Sequence, residues 1–337
     1  MSYASIKFFA QSVRALLNQQ IESQIKLTLS QIADCDEEHF STLHSASSSE
    51  KKLLMESIIY DWLIRLCCLR FMDVNQINTT LIVSSIKGQQ YPELLQRNLS
   101  NCAADLETPE QRYKDLLLKA FNTWYQRGLS IFKPMAPVTE ALAPQLLSKD
   151  GVLNAIQQAL TPKLCEEVEI IGWIHQALLD EQRETMFASR AKIESKDLPT
   201  ATQIFTPKWI GQYMAENTIG RLWMLNHPQS SLSQKMPYYI QPQEQQERLL
   251  KVSTPTEITV CDPACGSGHL LTRSFDLLYD IYEEEGWSSK DIPQAILTHN
   301  LYGVELDERV ADLAQFALIM QAMQVTKNTN CLAERLK

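Results

Sequence analysis

The segment CDPACGSGHLL, residues 261–271, constrains the fold of this chain more than any other stretch of its 337 residues. A short apolar run, residues 258–261, leads into it, and a helical pattern opens at His269. Gly266 and Gly268 lie between the predicted strand and the predicted helix. Glycines let a backbone approach a ligand closely, and the amino terminus of a helix offers free N–H groups to an anion. The segment therefore predicts a binding turn for a small molecule that carries a negative charge.

The residues around this turn predict an α/β arrangement. The predicted elements are a strand at 257–261, helices at 269–285 and 291–299, a strand at 300–306 and a last helix at 307–324. Strand and helix in this order predict a right-handed parallel crossover. Two strands are fewer than the five or six of a doubly wound sheet, so we expect an unpaired, apolar sheet edge.

The residues before about position 200 show a helical pattern instead. Apolar residues recur at spacings of three and four in segments 3–33, 49–72, 109–127, 150–160 and 166–187. Strand signals are almost absent from this half. The sequence therefore predicts a helical N-terminal domain over residues 1–197 and an α/β domain over residues 198–337.

One helical stripe in the first half allows two interpretations. Trp62, Leu66 and Leu69 share a helix face, which is typical of a buried core. Arg65 and Arg70 flank that face and leave open a contact with DNA phosphates. The chain as a whole has a net charge of −9, which does not indicate nucleic-acid binding, since binding to phosphates requires clustered Lys and Arg.

Composition narrows the class of protein further. An apolar fraction of 45% is enough for a sizeable core. None of the eight cysteines forms a Cys-x-x-Cys pair, which argues against a zinc site and favours reduced thiols in a cytoplasmic protein. No segment reaches the roughly 18 apolar residues that span a bilayer, so we expect no membrane partner.

Three ligands compete for the glycine turn. A dinucleotide motif requires a third glycine where Leu271 stands, and a nucleoside triphosphate loop requires Lys where His269 stands. S-adenosylmethionine needs only one helix end for its carboxylate and an acid at the tip of the next strand for its ribose hydroxyls. Glu305 closes the second predicted strand and supplies that acid, whereas Asp307 is predicted to cap the last helix. A solvated acid at a strand end remains the alternative for Glu305.

Two short motifs resemble those of a known family. Asp-Pro-Ala-Cys-Gly-Ser-Gly at 262–268 resembles the cofactor motif of the amino-methylating DNA methyltransferases, and Phe-Thr-Pro at 205–207 resembles the motif that precedes it in the adenine N6 class. Longer segments at 61–75, 169–182, 202–223, 262–287 and 300–322 are similar to the N-terminal part of the PglX family, the adenine methyltransferases of BREX phage-defence systems. The resemblance implies a partial Rossmann-like, S-adenosylmethionine-dependent methyltransferase domain that acts on adenine N6 in DNA.

The resemblance also implies roles for individual residues. The turn would hold the methionine half of S-adenosylmethionine through Asp262, Pro263, Ala264, Cys265, Gly266, Ser267 and Gly268. Phe205, Thr206 and Pro207 would close over the cofactor, and Glu305 would bind its ribose. Thr206 is also predicted to cap a helix that begins at Pro207. His269 would donate a hydrogen bond or, alternatively, cap its helix.

The motif that would hold the target base is missing from the sequence. In this class an Asn-Pro-Pro-Tyr/Phe motif binds the flipped adenine, and it occurs nowhere in the 337 residues. Residues 235–238, Lys-Met-Pro-Tyr, resemble a permuted version but lack its acid or Asn. We therefore assign no catalytic residue and no metal ligand, and we predict the front portion of a longer enzyme, inactive alone.

The partners that the resemblance implies are double-stranded DNA, chiefly through parts outside this sequence, other BREX proteins and a phage inhibitor. The alternative is a non-catalytic assembly or DNA-positioning module of a defence complex. In that alternative, the acidic run within residues 276–285 would dock a partner.

Overall fold

The computed structural model describes residues 3–31, 47–99, 108–149, 151–189, 192–195, 198–242 and 250–326. These residues are mostly helical and include one two-stranded sheet. The chain divides into two compact units: residues 1–126 with 132–185, and residues 127–131 with 186–337. The domain boundary at 197/198 stays a prediction. None of the helices in these ranges is long and apolar enough to cross a membrane.

Helices make up the regular structure of the described residues up to position 189. They are α1 (Tyr3–Gln31), α2 (Ser48–Val74), α3 (Glu93–Leu99), α4 (Pro109–Gln126), α5 (Pro137–Ala141), α6 (Val152–Ala159) and α7 (Glu169–Ser189). The five predicted helical segments are confirmed, except that their residues 32, 33 and 150 lie outside the described residues. The two short helices α3 and α5 were not predicted, because five to seven residues are too few for a helical period to stand out.

The stripe on α2 belongs to the core. Trp62, Leu66 and Leu69 are fully buried. Arg65 is 4% exposed, and its guanidinium carbon lies 5.7 Å from the ring centroid of Phe121. The Arg70 guanidinium donates to the Leu160 carbonyl at 3.2 Å and to the Ser84 hydroxyl at 2.6 Å. Both arginines thus bind groups inside the helical unit, and the interpretation as DNA-phosphate contacts is wrong for them.

A buried carboxylate near the end of α2 organises the segment that follows. Asp73 is 2% exposed. Its two oxygens accept five hydrogen bonds of 2.7–2.9 Å, from the side chains of Asn78 and Ser84 and the N–H groups of Ile82, Val83 and Ser84. Burial raises the pKa of Asp73, and these hydrogen bonds oppose that rise. Asp73 therefore binds residues along the whole loop at 78–84, which Arg70 and Tyr113 also contact.

The second unit contains the sheet. Its elements are α8 (Leu198–Thr202), α9 (Lys208–Ala215), α10 (Arg221–Asn226), β1 (Val260–Asp262), α11 (His269–Glu284), α12 (Ile292–His299), β2 (Leu301–Gly303) and α13 (Glu308–Thr326). The strands are parallel, with Cys261 opposite Tyr302. The predicted order of elements and the parallel pairing are confirmed, but each strand is only three residues long.

A π-helical turn, Glu216–Gly220, joins α9 and α10 into one continuous helix. The helix begins at Lys208, because Pro207 has an extended ψ of 145° and serves as the N-cap. The predicted Thr206 cap is therefore wrong. Gly211 faces the Arg273 side chain of α11, and Gly220 faces Met236 and, on α11, Leu277.

The acidic run of α11 binds neighbouring parts of the same unit. Asp280 and Glu283 bind the Lys235 ammonium at 2.7 and 3.3 Å. Glu284 accepts from the hydroxyls of Ser230 and Ser231 and from the Ser231 N–H at 2.5–2.8 Å. Burial raises the pKa of Glu284, but these hydrogen bonds outweigh it and lower the pKa overall. The run therefore holds the segment 230–235 against α11, and its role in docking a partner stays a prediction.

Candidate cofactor site

The register of the two strands brings their carboxyl ends together. Asp262 ends β1 opposite Gly303, which ends β2. The Val304 N–H donates to the Asp262 carbonyl at 2.9 Å, and the Cys265 N–H donates to the Val304 carbonyl at 3.0 Å. The glycine turn after β1 therefore lies against the segment that leaves β2.

The two glycines of the turn have backbone conformations that other residues rarely adopt. Gly266 has φ +55° and Gly268 has φ +82°. A Cβ on Gly266 would lie 3.3 Å from the Phe205 ring, and a Cβ on Gly268 would lie 3.2 Å from the Cα and Cβ of Ala314. Both positions need glycine because of the left-handed φ and the close neighbours. Gly268 is the N-cap of α11.

Glu305 lies directly against the turn. Its Oε2 accepts a hydrogen bond from the Gly266 N–H at 2.9 Å. Its Oε1 accepts from the N–H groups of Leu306 and Asp307 at 2.8 and 3.1 Å. The carboxylate is thus fixed by three backbone donors beside the turn. The side chain is partly exposed and bound to the backbone, and its role as a ribose ligand stays a prediction.

Phe205 and Thr206 contact the same turn from the segment before α9. Phe205 is 5% exposed, and its ring centroid lies 5.1 Å from that of His269. The Thr206 carbonyl lies 3.3 Å from His269 Nδ1. The helix-cap alternative for His269 is wrong, because Gly268 holds the N-cap position and no side chain caps α11. His269 instead links the turn to the residues that lead into α9.

The other residues of the motif differ in their exposure. Pro263 and Ala264 are exposed, and the Asp262 carboxylate accepts from the Ala264 N–H at 3.2 Å. Cys265 packs with Leu271 and Ala314, and burial raises its pKa to about 11, so its thiol stays protonated at neutral pH.

Ser267 has an unusual environment for a polar side chain. It is 2% exposed, and its hydroxyl has no hydrogen-bond partner among the described residues. A buried polar group without a partner costs free energy, so it is typical of a site that a ligand completes.

Two residues outside the predicted set help to shape the site. Ala314 of α13 lies beneath Gly268. Gln203 donates to the Asp307 carboxylate at 3.2 Å, which ties the segment before Phe205 to the start of α13. Asp307 accepts from the Arg309 N–H at 3.0 Å, so its predicted role as a helix cap is confirmed. No sequence signal distinguishes Ala314 or Gln203 from ordinary core and loop residues.

The site places hydrogen-bond donors and a hydrogen-bond acceptor next to each other, since Glu305 binds the turn directly. The start of α11 offers N–H groups, and Glu305 offers carboxylate lone pairs. The residues therefore fit a ligand that carries both an anionic group and hydroxyls. Within the described ranges, no cluster of three or more His, Cys, Asp or Glu could hold a metal ion.

Comparisons with known proteins agree with these features. The family described as "MmeI, DNA-methyltransferase domain" matches residues 240–337. The chain is 34% identical over 298 residues to the adenine-specific methyltransferase BrxX of Escherichia coli O9:H4 (strain HS), covering 81% of this chain and 25% of that protein. It is 29% identical over 307 residues to the adenine-specific methyltransferase PglX of Lacticaseibacillus casei (strain Zhang), covering 80% of this chain and 25% of that protein.

The chain spans about a quarter of the length of these curated relatives. The resemblance to PglX that the sequence motifs indicate is confirmed. Over about four fifths of its length, this chain is a homologue of the adenine-specific methyltransferases BrxX and PglX.

Proposed function

We propose that this chain is the N-terminal and cofactor-binding portion of a site-specific DNA adenine N6-methyltransferase of a BREX phage-defence system. In this proposal the second unit is the front part of a Rossmann-like domain that binds S-adenosylmethionine. One observation carries the proposal: the Glu305 carboxylate accepts a hydrogen bond from Gly266 within the Asp-Pro-Ala-Cys-Gly-Ser-Gly turn. The BrxX and PglX relatives support the reaction class.

The turn and the start of α11 would bind the methionine half of the cofactor. The backbone of residues 262–268 would lie along the ligand, and the first N–H groups of α11 would attract its carboxylate. The buried Ser267 hydroxyl supplies a donor that no described protein group satisfies. Asp262, at the carboxyl end of β1, is the acidic group of this part of the site.

Glu305 would bind the ribose hydroxyls. Two backbone N–H groups hold its Oε1, and Oε2 makes one hydrogen bond to Gly266. An ionised carboxylate has about four acceptor positions, so further acceptor capacity remains for hydroxyl donors. Phe205, Thr206 and Pro207 would close over the bound cofactor from the start of α9.

Bound S-adenosylmethionine supplies an activated methyl group on its sulfonium. The residues of this chain bind and orient that group, and we assign none of them a catalytic role. Transfer to adenine N6 also requires a site for the flipped base, and the Asn-Pro-Pro-Tyr/Phe motif does not occur in this sequence. We therefore propose that the 337 residues bind the cofactor but transfer no methyl group alone.

We also propose double-stranded DNA, other BREX proteins and a phage inhibitor as partners, with DNA bound chiefly by parts outside these residues. The alternative is a non-catalytic assembly or DNA-positioning module, suggested by the large helical half and by the acidic run. Asp280, Glu283 and Glu284 of that run bind Lys235 and its neighbours, which weakens the second of these two supports.

Isothermal titration calorimetry with S-adenosylmethionine tests cofactor binding. The unmodified chain should bind, and Glu305→Ala should raise Kd by about tenfold or more because the ribose loses its acceptor. Glu285→Ala, at an exposed acid on the end of α11, is the matched control and should leave Kd unchanged. Absence of heat at millimolar ligand with a chain folded by circular dichroism, or an unchanged Kd for Glu305→Ala, would refute the proposal.

A methyl-transfer assay tests the second part of the proposal. The isolated chain, with labelled cofactor and double-stranded DNA, should give no labelled adenine. Labelled N6-methyladenine would contradict the claim that the chain lacks a complete base site.

A further inference from the structure

His269, the first residue of α11, lies between the glycine turn and the segment that leads into α9. Its side chain is 5% exposed. The Thr206 carbonyl lies 3.3 Å from Nδ1 of the imidazole, and the Phe205 ring centroid lies 5.1 Å from the centroid of the same ring. One buried side chain at the start of α11 therefore contacts two consecutive residues of the Phe-Thr-Pro segment at 205–207.

The contact with Thr206 fixes the position of a proton on the imidazole. A backbone carbonyl can only accept a hydrogen bond, so Nδ1 of His269 must carry the hydrogen that it donates. An imidazole protonated on Nε2 alone would instead bring the Nδ1 lone pair against the carbonyl lone pairs, which repels. The contact therefore selects the forms of the ring in which Nδ1 is protonated.

The Thr206 carbonyl lies one residue before the first carbonyl that α9 uses. The Pro207 carbonyl accepts from the N–H groups of Ile210 and Gly211 at 3.0 and 3.2 Å, and Pro207 is the N-cap with an extended ψ of 145°. The backbone before Pro207 lies outside the helix, where helical hydrogen bonds give way to contacts with other parts of the chain. The imidazole of His269 supplies a contact of this kind at Thr206.

The segment held in this way lies against the glycine turn. A Cβ on Gly266 would lie 3.3 Å from the Phe205 ring, so this ring packs on the backbone of the turn. Gln203 donates to the Asp307 carboxylate at 3.2 Å, which attaches the same segment to the residues that follow Glu305. The segment is thus attached to both sides of the candidate cofactor site.

We propose that His269 is a positioning residue: its Nδ1–H holds the Thr206 carbonyl and keeps the Phe-Thr-Pro segment in the place that a bound cofactor requires. His269 acts through Thr206, and this role needs no contact between the imidazole and the cofactor. A segment that is already in place costs less free energy to order on binding, so His269 contributes to cofactor affinity. The contribution to affinity rests on the proposed function, whereas the hold on the segment does not.

Amide hydrogen exchange without cofactor tests the hold on the segment. His269→Phe keeps an aromatic ring but removes the donor, so the Ile210 and Gly211 amides should exchange at least about tenfold faster because the start of α9 is released. His269→Asn should keep their exchange within about threefold of the unmodified chain, since the amide nitrogen of Asn occupies the place of Nδ1. His269→Gln extends that nitrogen beyond this place and should behave like His269→Phe.

Two results would overturn the hold on Thr206. One is equal exchange of the Ile210 and Gly211 amides in His269→Phe and the unmodified chain. The other is equal exchange in His269→Asn and His269→Gln, which decides the question even if His269→Phe fails to fold. His299→Phe is the matched control and should leave both amides unchanged, because His299 is exposed and lies at the end of α12.

Nuclear magnetic resonance detects the proton on Nδ1 directly. Long-range ¹H–¹⁵N spectra of the unmodified chain should show a protonated Nδ1 for the histidine whose signals disappear in His269→Asn. A His269 ring protonated on Nε2 alone would contradict the proposal, because such a ring has no hydrogen to donate to Thr206.

Calorimetry with S-adenosylmethionine measures the contribution to affinity. The Kd should rise about fivefold or more in His269→Phe and stay within about twofold in His269→Asn. Equal Kd values for the unmodified chain and both variants would refute the role in cofactor binding. Absence of heat in every chain, together with the expected difference in amide exchange, would count against the proposed function and would support the hold of His269 on Thr206.

Discussion

One carboxylate in each unit of the molecule binds several backbone N–H groups, but the two differ in exposure. In the helical unit, Asp73 is 2% exposed and accepts five hydrogen bonds, three of them from backbone N–H groups. In the α/β unit, Glu305 is only partly buried and accepts three hydrogen bonds, all from backbone N–H groups. Both units also contain buried side-chain atoms without a hydrogen-bond partner among the described residues, such as Gln24 Oε1 and Ser267 Oγ. A buried carboxylate with all its acceptor positions filled stabilises the fold, whereas a partly exposed one keeps acceptor capacity for a ligand.

The largest expected effect is on the stability of the helical unit. Asp73→Ala removes one acceptor for five donors and leaves three buried backbone N–H groups without a partner. Each such group costs about 1–3 kcal/mol, which gives about 3–9 kcal/mol for the three. Alanine also removes the cost of burying the Asp73 carboxylate, so the free energy of unfolding should fall by an amount in the lower part of that range, about 3–5 kcal/mol. Urea unfolding followed by circular dichroism measures the change.

Asp115→Ala is the control for this variant. Asp115 accepts one exposed hydrogen bond, from Gln111 at 3.1 Å, and its loss should change stability by less than about 0.5 kcal/mol. If Asp73→Ala costs no more than Asp115→Ala, the contrast between the two units is wrong.

A pair of glycine variants separates backbone strain from close packing in the α/β unit. Gly268 and Gly286 have similar φ values, +82° and +79°, but an added Cβ would meet neighbours within 4 Å at Gly268, where Ala314 lies, and none at Gly286. Gly286→Ala should cost about 1 kcal/mol from strain alone. Gly268→Ala should cost about 2–4 kcal/mol, because Ala314 must also shift. Equal losses in thermal unfolding would show that α13 does not support the turn.

The smallest expected effect concerns pH. Burial raises the pKa of Glu284, but the hydrogen bonds from Ser230 and Ser231 lower this pKa overall. The Glu284 carboxylate therefore stabilises the fold at pH values above its unfolded pKa, and this stabilisation is lost as the pH falls through its folded pKa. The free energy of unfolding of the unmodified chain should fall between neutral pH and about pH 4. In Glu284→Gln this fall should be smaller, by less than about 1 kcal/mol. Urea midpoints at the two pH values measure it. Glu285→Gln should behave like the unmodified chain, and an identical pH dependence for Glu284→Gln would contradict the assignment.

The sequence predicts the elements that carry strong local signals. The five long helices of the first half follow from apolar periodicity, and the parallel strands follow from the order of elements. The strands are shorter than predicted because local composition does not show where pairing stops. After Gly303 the backbone turns so that Glu305 reaches Gly266. The strand β2 therefore ends at Gly303, although apolar residues continue beyond it.

Features that depend on distant residues were not predictable. A groove of about 680 Å³ beside β1 combines Met214, Leu222 and Leu225 with Ile258 and Leu270, which come together only in the folded unit. The acidic run of α11 looks like a solvated or partner-binding surface until the position of Lys235 is known. For the cofactor turn, the motif identifies the residues, but the contact of Gly268 with Ala314 requires the placement of α13.

The π turn at Glu216–Gly220 sets the direction in which the side chains of α10 point relative to those of α9. Gly220 lies nine positions after Gly211, and at about 100° per residue an uninterrupted α-helix would point the two glycines in opposite directions. A π turn takes in one more residue per hydrogen-bonded loop, which unwinds the helix by roughly a quarter turn and brings Gly220 within reach of Leu277 of α11 as well as Met236. The wall of the groove formed by Leu222 and Leu225 inherits its orientation from that unwinding, so a single-residue deletion within Glu216–Gly220 would swing these leucines away from the edge of β1.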